Sequence, residues 1–266
     1  MSHIISEKKL FIFDIDGTIS LDNRLFARTK DVFNKLQSQG KYIYLVTNNS
    51  SKLPSHYLGN LSKAGLDVEN INLISSLDLA LEYLHKNNMK NIYWAANEIV
   101  SEYIMHKGFS FNDSTPAAIL LTYDTEISYT KLLKITELLH KKTPYFATHT
   151  DFVCPTDLGY YVPDIGSFMA LIETATGKTP EKTFGKPERF CIDKALSETG
   201  LGEKDAVVIG DRLYTDIELA GRAGITSVLV LSGETTAQMH ENSSVKADIV
   251  MSGIDELYEY LQENEL

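Results

Sequence analysis

Short apolar runs, set apart by stretches with helical spacing, constrain this chain more than any other feature of its sequence. Leu10 to Phe13, Tyr42 to Val46, Ala117 to Leu121, Ala206 to Ile209 and Ser227 to Leu231 are almost wholly apolar and rich in β-branched and aromatic residues. Such runs suit parallel strands covered on both faces. Between them, apolar residues recur with helical spacing: Leu25, Val32, Phe33 and Leu36; Tyr129, Leu132, Leu133 and Leu139; Ile254, Leu257, Tyr258 and Leu261. Strand and helix alternate throughout, which predicts an α/β fold with a parallel sheet. Punctuation agrees: Pro187 is expected to open a helix that Gly200 closes, and Gly224 to follow the helix carrying Ile217 and Ala220.

A sheet of this kind needs a core, and composition allows one. Of 266 residues, 43% are apolar and 23% charged, which excludes a disordered or low-complexity chain. The length suits one large domain or two modest ones. With 25 Lys and Arg against 36 Asp and Glu, the net charge of −11 argues against a nucleic-acid or anionic-membrane partner. Cys154 and Cys191 are too few for a disulfide framework and lack the paired spacing of a zinc site, so a reducing compartment is expected. The N-terminal MSHIISEKK has no apolar run of signal-peptide length, and nowhere do 18 apolar residues follow one another. These features predict a soluble, cytoplasmic protein.

Three apolar runs end in polar residues of an unusual kind. Leu10 to Phe13 leads into Asp14-Ile15-Asp16-Gly17-Thr18, Tyr42 to Val46 into Thr47-Asn48-Asn49-Ser50, and Ala206 to Ile209 into Gly210-Asp211-Arg212. In open parallel sheets ligands bind outside the carboxyl ends of the strands, so three separate segments point at one crevice. Asp14 and Asp16, one residue apart, would project from the same side of an extended backbone. One can attack a phosphorus while the other handles the proton. Placing both in a pocket with Asp211 would be opposed by mutual repulsion unless a cation compensates. Oxygen ligands with no His or Cys nearby in sequence favour Mg2+ over zinc or copper.

The segments DIDGT at 14–18, TNN at 47–49, GKP at 185–187 and GDRLYTD at 210–216 resemble, in order, the four motifs of the haloacid dehalogenase (HAD) superfamily. The later stretch TDIELAGRAG followed by ITSVLVLSGE is similar to the NagD-type, or class IIA, branch. The resemblance implies a Rossmann-like three-layer core with a parallel sheet plus an inserted α/β cap domain. It implies that Asp14 is the nucleophile that becomes an aspartyl phosphate and that Asp16 is the acid/base. Thr47 and Asn48 would contact phosphoryl oxygens through a hydroxyl and a backbone N–H, and Lys186 would balance their charge. Asp14, the main-chain carbonyl of Asp16, and Asp211 would hold the metal, with Asp216 acting behind them. Gly17 would leave room for a phosphate. Arg212 reads equally well as a surface cation offsetting local acids.

Between Thr47 and Lys186 lie 138 residues, far more than one strand-helix repeat requires. The resemblance places the cap there, at 81–180, with the core formed by 1–80 and 181–266. Within it, Ala147 to Ser167 is similar to the substrate-facing segment of NagD-type enzymes, and Asp151, Tyr161 and Ser167 are the expected substrate contacts. The expected partner is a small phosphorylated metabolite, of the nucleotide, sugar phosphate, pyridoxal phosphate or p-nitrophenyl phosphate class; a homo-oligomer is compatible with the reading. The leading expectation is a Mg2+-dependent phosphatase. Its rivals are another HAD phosphotransferase and a non-catalytic phosphometabolite-binding or regulatory protein on the same scaffold.

Overall fold

The computed structural model describes residues 4–21, 24–155 and 160–264. The chain forms two compact units, one made of Met1–Thr47, Ser55–Ile74 and Lys186–Leu266, the other of Asn48–Pro54 and Ser75–Gly185. Ten α-helices alternate with the strands among the described residues. No described helix is long and apolar enough to cross a membrane.

The first unit carries a six-stranded sheet in the order Ile249–Met251, Thr226–Val230, Ala206–Gly210, Leu10–Phe13, Tyr42–Thr47, Ile71–Ser75. Its recorded pairings are parallel. All four residues of Leu10–Phe13 and all five of Ala206–Gly210 are buried, which is why these segments read as unbroken apolar runs rather than alternating ones. Phe11 and Phe13 pack with Val32, Phe33 and Leu36 of the Thr29–Ser38 helix and with Leu257 and Leu261 of the Ile254–Glu263 helix. Burying each phenylalanine contributes roughly 1.5–3 kcal/mol.

The second unit has its own five-stranded parallel sheet, ordered Lys182–Thr183, Tyr145–Ala147, Ile119–Leu121, Asn91–Ala95, Ser110–Phe111. Ile119, Leu121, Tyr145 and Ala147 form a core with Ile135, Leu138 and Leu139 of the Tyr129–His140 helix and Ile165 and Ile172 of the Ile165–Thr176 helix. A two-stranded hairpin, Val153–Pro155 with Tyr161–Pro163, precedes that last helix.

Three local expectations are corrected. Leu25 lies not on a helix but in a short strand, Arg24–Leu25, paired with Ser20–Leu21. Tyr129 and Leu133 are exposed, so the buried stripe of their helix runs through Ile135, Leu138 and Leu139. The helix closed by Gly200 starts at Phe190, three residues after Pro187. Lys186 therefore stands in a turn, clear of the helix start at which a cation would be disfavoured.

Candidate active site

Two strands that are remote in sequence deliver the first two carboxylates. Phe13 pairs with Ile209 in the parallel ladder, and the Asp14 N–H donates to the Ile209 carbonyl at 2.9 Å. The residues that follow these strands, Asp14 and then Asp211 after Gly210, emerge side by side. Strands are added on one side of Leu10–Phe13 before the second unit and on the other side after it, so this is also the point where the winding of the sheet reverses.

Asp216 reaches the same place through a wide turn of π-helix, Leu213–Ile217. Gly210 makes the approach possible, because a Cβ there would stand 2.3 Å from Cβ and Cγ of Asp216. One carboxylate oxygen from each of Asp14, Asp211 and Asp216 lies within 4.8 Å of the others. The Lys186 ammonium donates to Asp14 Oδ1 and, at 2.6 Å, to Asp216 Oδ1, while Asp216 Oδ2 accepts the Arg212 backbone N–H at 3.1 Å.

Asp211 is 1% exposed and held on several sides. Its Oδ2 accepts the Glu234 N–H at 2.7 Å, and the Thr18 hydroxyl stands 3.5 Å from Oδ1. Gly17 has φ +92°, and a Cβ on it would meet Asp211 Oδ2 at 2.5 Å. The missing side chain thus makes room for the Asp211 carboxylate.

Burial is the main influence on the Asp14 carboxyl and raises its pKa; Lys186 pulls it down, and Asp216 and Asp211 push it up again, leaving it well above the ordinary carboxylate range. Burial followed by Asp216 raises Asp211 in the same way. For Lys186 burial opposes the charge, but Asp14 and Asp216 outweigh it and hold the ammonium charged. Arg212 pairs with Glu234 at 3.0 Å, and the Tyr214 hydroxyl donates to the same Glu234 oxygen at 3.1 Å. With all four carboxylates ionised, as an entering cation would favour, Asp14, Asp211, Asp216 and Glu234 against Lys186 and Arg212 leave two negative charges over. Hard oxygen donors and that imbalance fit one divalent cation of the magnesium type.

Asp16 stands apart from this trio. The strand stops at Phe13, and the N–H groups of Thr18, Ile19 and Ser20 all turn back to the Ile15 carbonyl, so Asp16 stands in the turn that follows the strand. Asp16 is exposed, while the Asp14 side chain is only 13% exposed. Thr47, buried, ends the strand beside Leu10–Phe13.

The remaining predicted residues belong to the second unit. The Asn48 side-chain amide donates to both Asp151 carboxylate oxygens at 3.3 Å, and its carbonyl accepts the Ser76 hydroxyl at 2.6 Å. The Ser167 hydroxyl donates to the Phe152 carbonyl at 2.6 Å, and Tyr161 is 60% exposed on the hairpin. Asp164 caps the Ile165–Thr176 helix through the Ile165 N–H at 2.6 Å and also lies 3.2 Å from Nε2 of the buried His149. Residues 156–159 of the predicted substrate-facing segment lie outside the described residues. Sequence reasoning missed His149, Asp164 and the Ser232–Thr235 loop. Asp164 directly before a helix is an N-cap signature, and the loop follows the carboxyl end of a core strand, the same signal that located Asp14.

Residues 11–110 match the haloacid dehalogenase-like hydrolase family, and residues 183–257 match HAD-hydrolase-like proteins. A 4-nitrophenylphosphatase from Thermotoga maritima is 34% identical, with 98% of this chain and 100% of that one covered and a TM-score of 0.93. A structure described as a putative nagD protein is 32% identical over 95% of this chain and 98% of its own, with a TM-score of 0.88. A chloroplastic phosphoglycolate phosphatase, 1A, of Arabidopsis thaliana is 26% identical over 95% of this chain and 77% of its own. The chain belongs to the haloacid dehalogenase-like hydrolases, in their NagD-type, p-nitrophenylphosphatase branch.

Proposed function

We propose that this chain is a Mg2+-dependent phosphatase of small phosphate monoesters, working through a phosphoryl group carried transiently on Asp14. One observation supports the reading above all others: three carboxylates from separate segments share a buried site with a lysine bonded to two of them. Such a cluster of buried like charges is unfavourable on its own and becomes useful where a cation and a phosphate dianion are to be bound together.

In this mechanism a carboxylate oxygen of Asp14 attacks the phosphorus, and the bond from phosphorus to the ester oxygen breaks. Asp16, exposed at the turn, gives its proton to the departing oxygen. It then takes a proton from water, whose oxygen attacks the phosphorus, releasing inorganic phosphate and restoring Asp14. Lys186 and the groups at Thr47 and Asn48 orient and neutralise the phosphoryl oxygens. Asp14, Asp211 and the main-chain carbonyl of Asp16 would hold the ion, backed by Asp216. When bound, Mg2+ neutralises phosphoryl charge and aligns the group for displacement. Asp151, Tyr161 and Ser167 contact the leaving moiety and rank nucleotide, sugar phosphate, pyridoxal phosphate and p-nitrophenyl phosphate substrates. The phosphatases among its relatives support this class of reaction.

The test is a panel of phosphate monoesters assayed with and without Mg2+, on the native protein and on Asp14→Asn. Hydrolysis that requires Mg2+ and disappears in Asp14→Asn is expected. Substantial turnover by clean Asp14→Asn protein would overturn the covalent route, and an undiminished rate in excess chelator after exhaustive dialysis would overturn the metal.

A further inference from the structure

The Ser232–Thr235 loop is bonded to both the carboxylate and the main chain of Asp211, and to the Gly17 turn. The Glu234 N–H donates to Asp211 Oδ2 at 2.7 Å, and the Thr235 N–H to the Asp211 carbonyl at 3.3 Å. The Ser232 hydroxyl donates to the Gly17 carbonyl at 2.7 Å, tying the loop to the turn on the far side of Asp211. Gly233 and Gly17 flank the carboxylate: a Cβ on Gly233 would fall 2.0 Å from Asp211 Oδ2, and one on Gly17 would fall 2.5 Å from the same atom. The Glu234 side chain extends the clamp outward, to Arg212 at 3.0 Å and to the Tyr214 hydroxyl at 3.1 Å.

We propose that this loop is the positioning element of Asp211, and that Gly233 sets the slot in which the carboxylate is held. The proposal rests on the reading of Asp211 as a metal ligand. A side chain at 233 cannot coexist with the present position of Oδ2, so either the carboxylate rotates away or the loop lifts. In both cases the hydrogen bond from the Glu234 N–H is lost. With Oδ2 bonded to the Glu234 N–H and the Thr18 hydroxyl near Oδ1, the Asp211 carboxylate is held in one orientation, which fixes the direction in which its remaining lone pairs can be offered to an ion. Groups that orient a metal ligand in this way alter affinity by about 10–100-fold when removed. The Glu234–Arg212 pair, at 3.0 Å, ties the loop to the residue that follows Asp211.

Calorimetric titration of metal-free protein with Mg2+ reads this directly, without turnover. Gly233→Ala is expected to weaken Mg2+ binding at least about tenfold, and Ser232→Ala, one bond removed from the carboxylate, by about a few-fold, below that range. Raising Mg2+ should return the kcat of Ser232→Ala to the native value, a rescue that a general folding defect would not show. A folded Gly233→Ala protein with native Mg2+ affinity overturns the proposal. If Gly233→Ala does not fold, Ser232→Ala decides, and unchanged affinity there overturns it equally. Native protein that binds no Mg2+ refutes the metal reading itself, an outcome distinct from native binding that the variants leave untouched.

Discussion

Asp14 and Asp16 differ by two positions and by environment, one largely buried against Lys186 and the other exposed beyond a turn. That contrast suits a nucleophile held rigidly and a proton carrier open to substrate and water, and it leads to a kinetic expectation. Asp16→Ala should slow formation of the phosphoenzyme least for esters whose leaving group is already a weak base, because little negative charge then needs a proton. Burst rates of alcohol release from p-nitrophenyl phosphate and from an alkyl phosphate make the comparison; equal losses on both would remove Asp16 from the role of acid. The loss of Asp14 is different in kind: Asp14→Asn is nearly isosteric, so turnover should vanish while the melting temperature stays within a few degrees of native. The sequence was informative about these residues because each follows an apolar run, a signal that survives without any knowledge of packing. Gly233 and Glu234 fall within a stretch that carries the family resemblance, yet pattern alone assigned them no role, because what a missing Cβ and a backbone N–H touch leaves no mark on hydropathy or spacing.

Elements show the same division between what pattern carries and what packing decides. The apolar runs at 10–13, 42–46 and 206–209 coincide closely with core strands because burial on both faces imposes apolar residues at every position but the exposed Tyr42. The helix expected to open at Pro187 starts instead at Phe190, after a turn through residues 186–189 that begins at the carboxylate-bound Lys186. In the second unit, the N-terminus of the Ile165–Thr176 helix is fixed by Asp164, which accepts both from the Ile165 N–H and within reach of His149. Asp164→Ala should therefore lower stability by about 1–2 kcal/mol, read by denaturant titration, with the cap and a buried partner lost together. Asp164→Asn retains an acceptor and should lose less. On the preceding hairpin, Tyr161→Ala should alter the ranking of substrates in kcat/KM more than it alters hydrolysis of acetyl phosphate. A uniform fall across all substrates would make the hairpin structural rather than selective.

For the molecule as a whole, an ion held by the first unit should stabilise that unit by mass action, about 2.7 kcal/mol at one hundred times the dissociation constant. Hydrogen exchange with and without Mg2+ should show slowed opening around 10–18 and 206–217, and no such slowing would argue that these carboxylates hold no ion. The discontinuity of the first unit has a further consequence. Leu10–Phe13 needs Ala206–Gly210 beside it, yet Ala206 is synthesised 196 residues after its partner Leu10. At about 5–20 residues per second the gap amounts to roughly 10–40 s on the ribosome. Over that interval Leu10–Phe13 keeps an unpaired edge, and by its end every strand of the second sheet, from Asn91 to Thr183, has been synthesised. The middle of the newborn chain can close before its beginning, and Leu10–Phe13 is the part that waits, a ready substrate for chaperones or for pairing with the wrong neighbour.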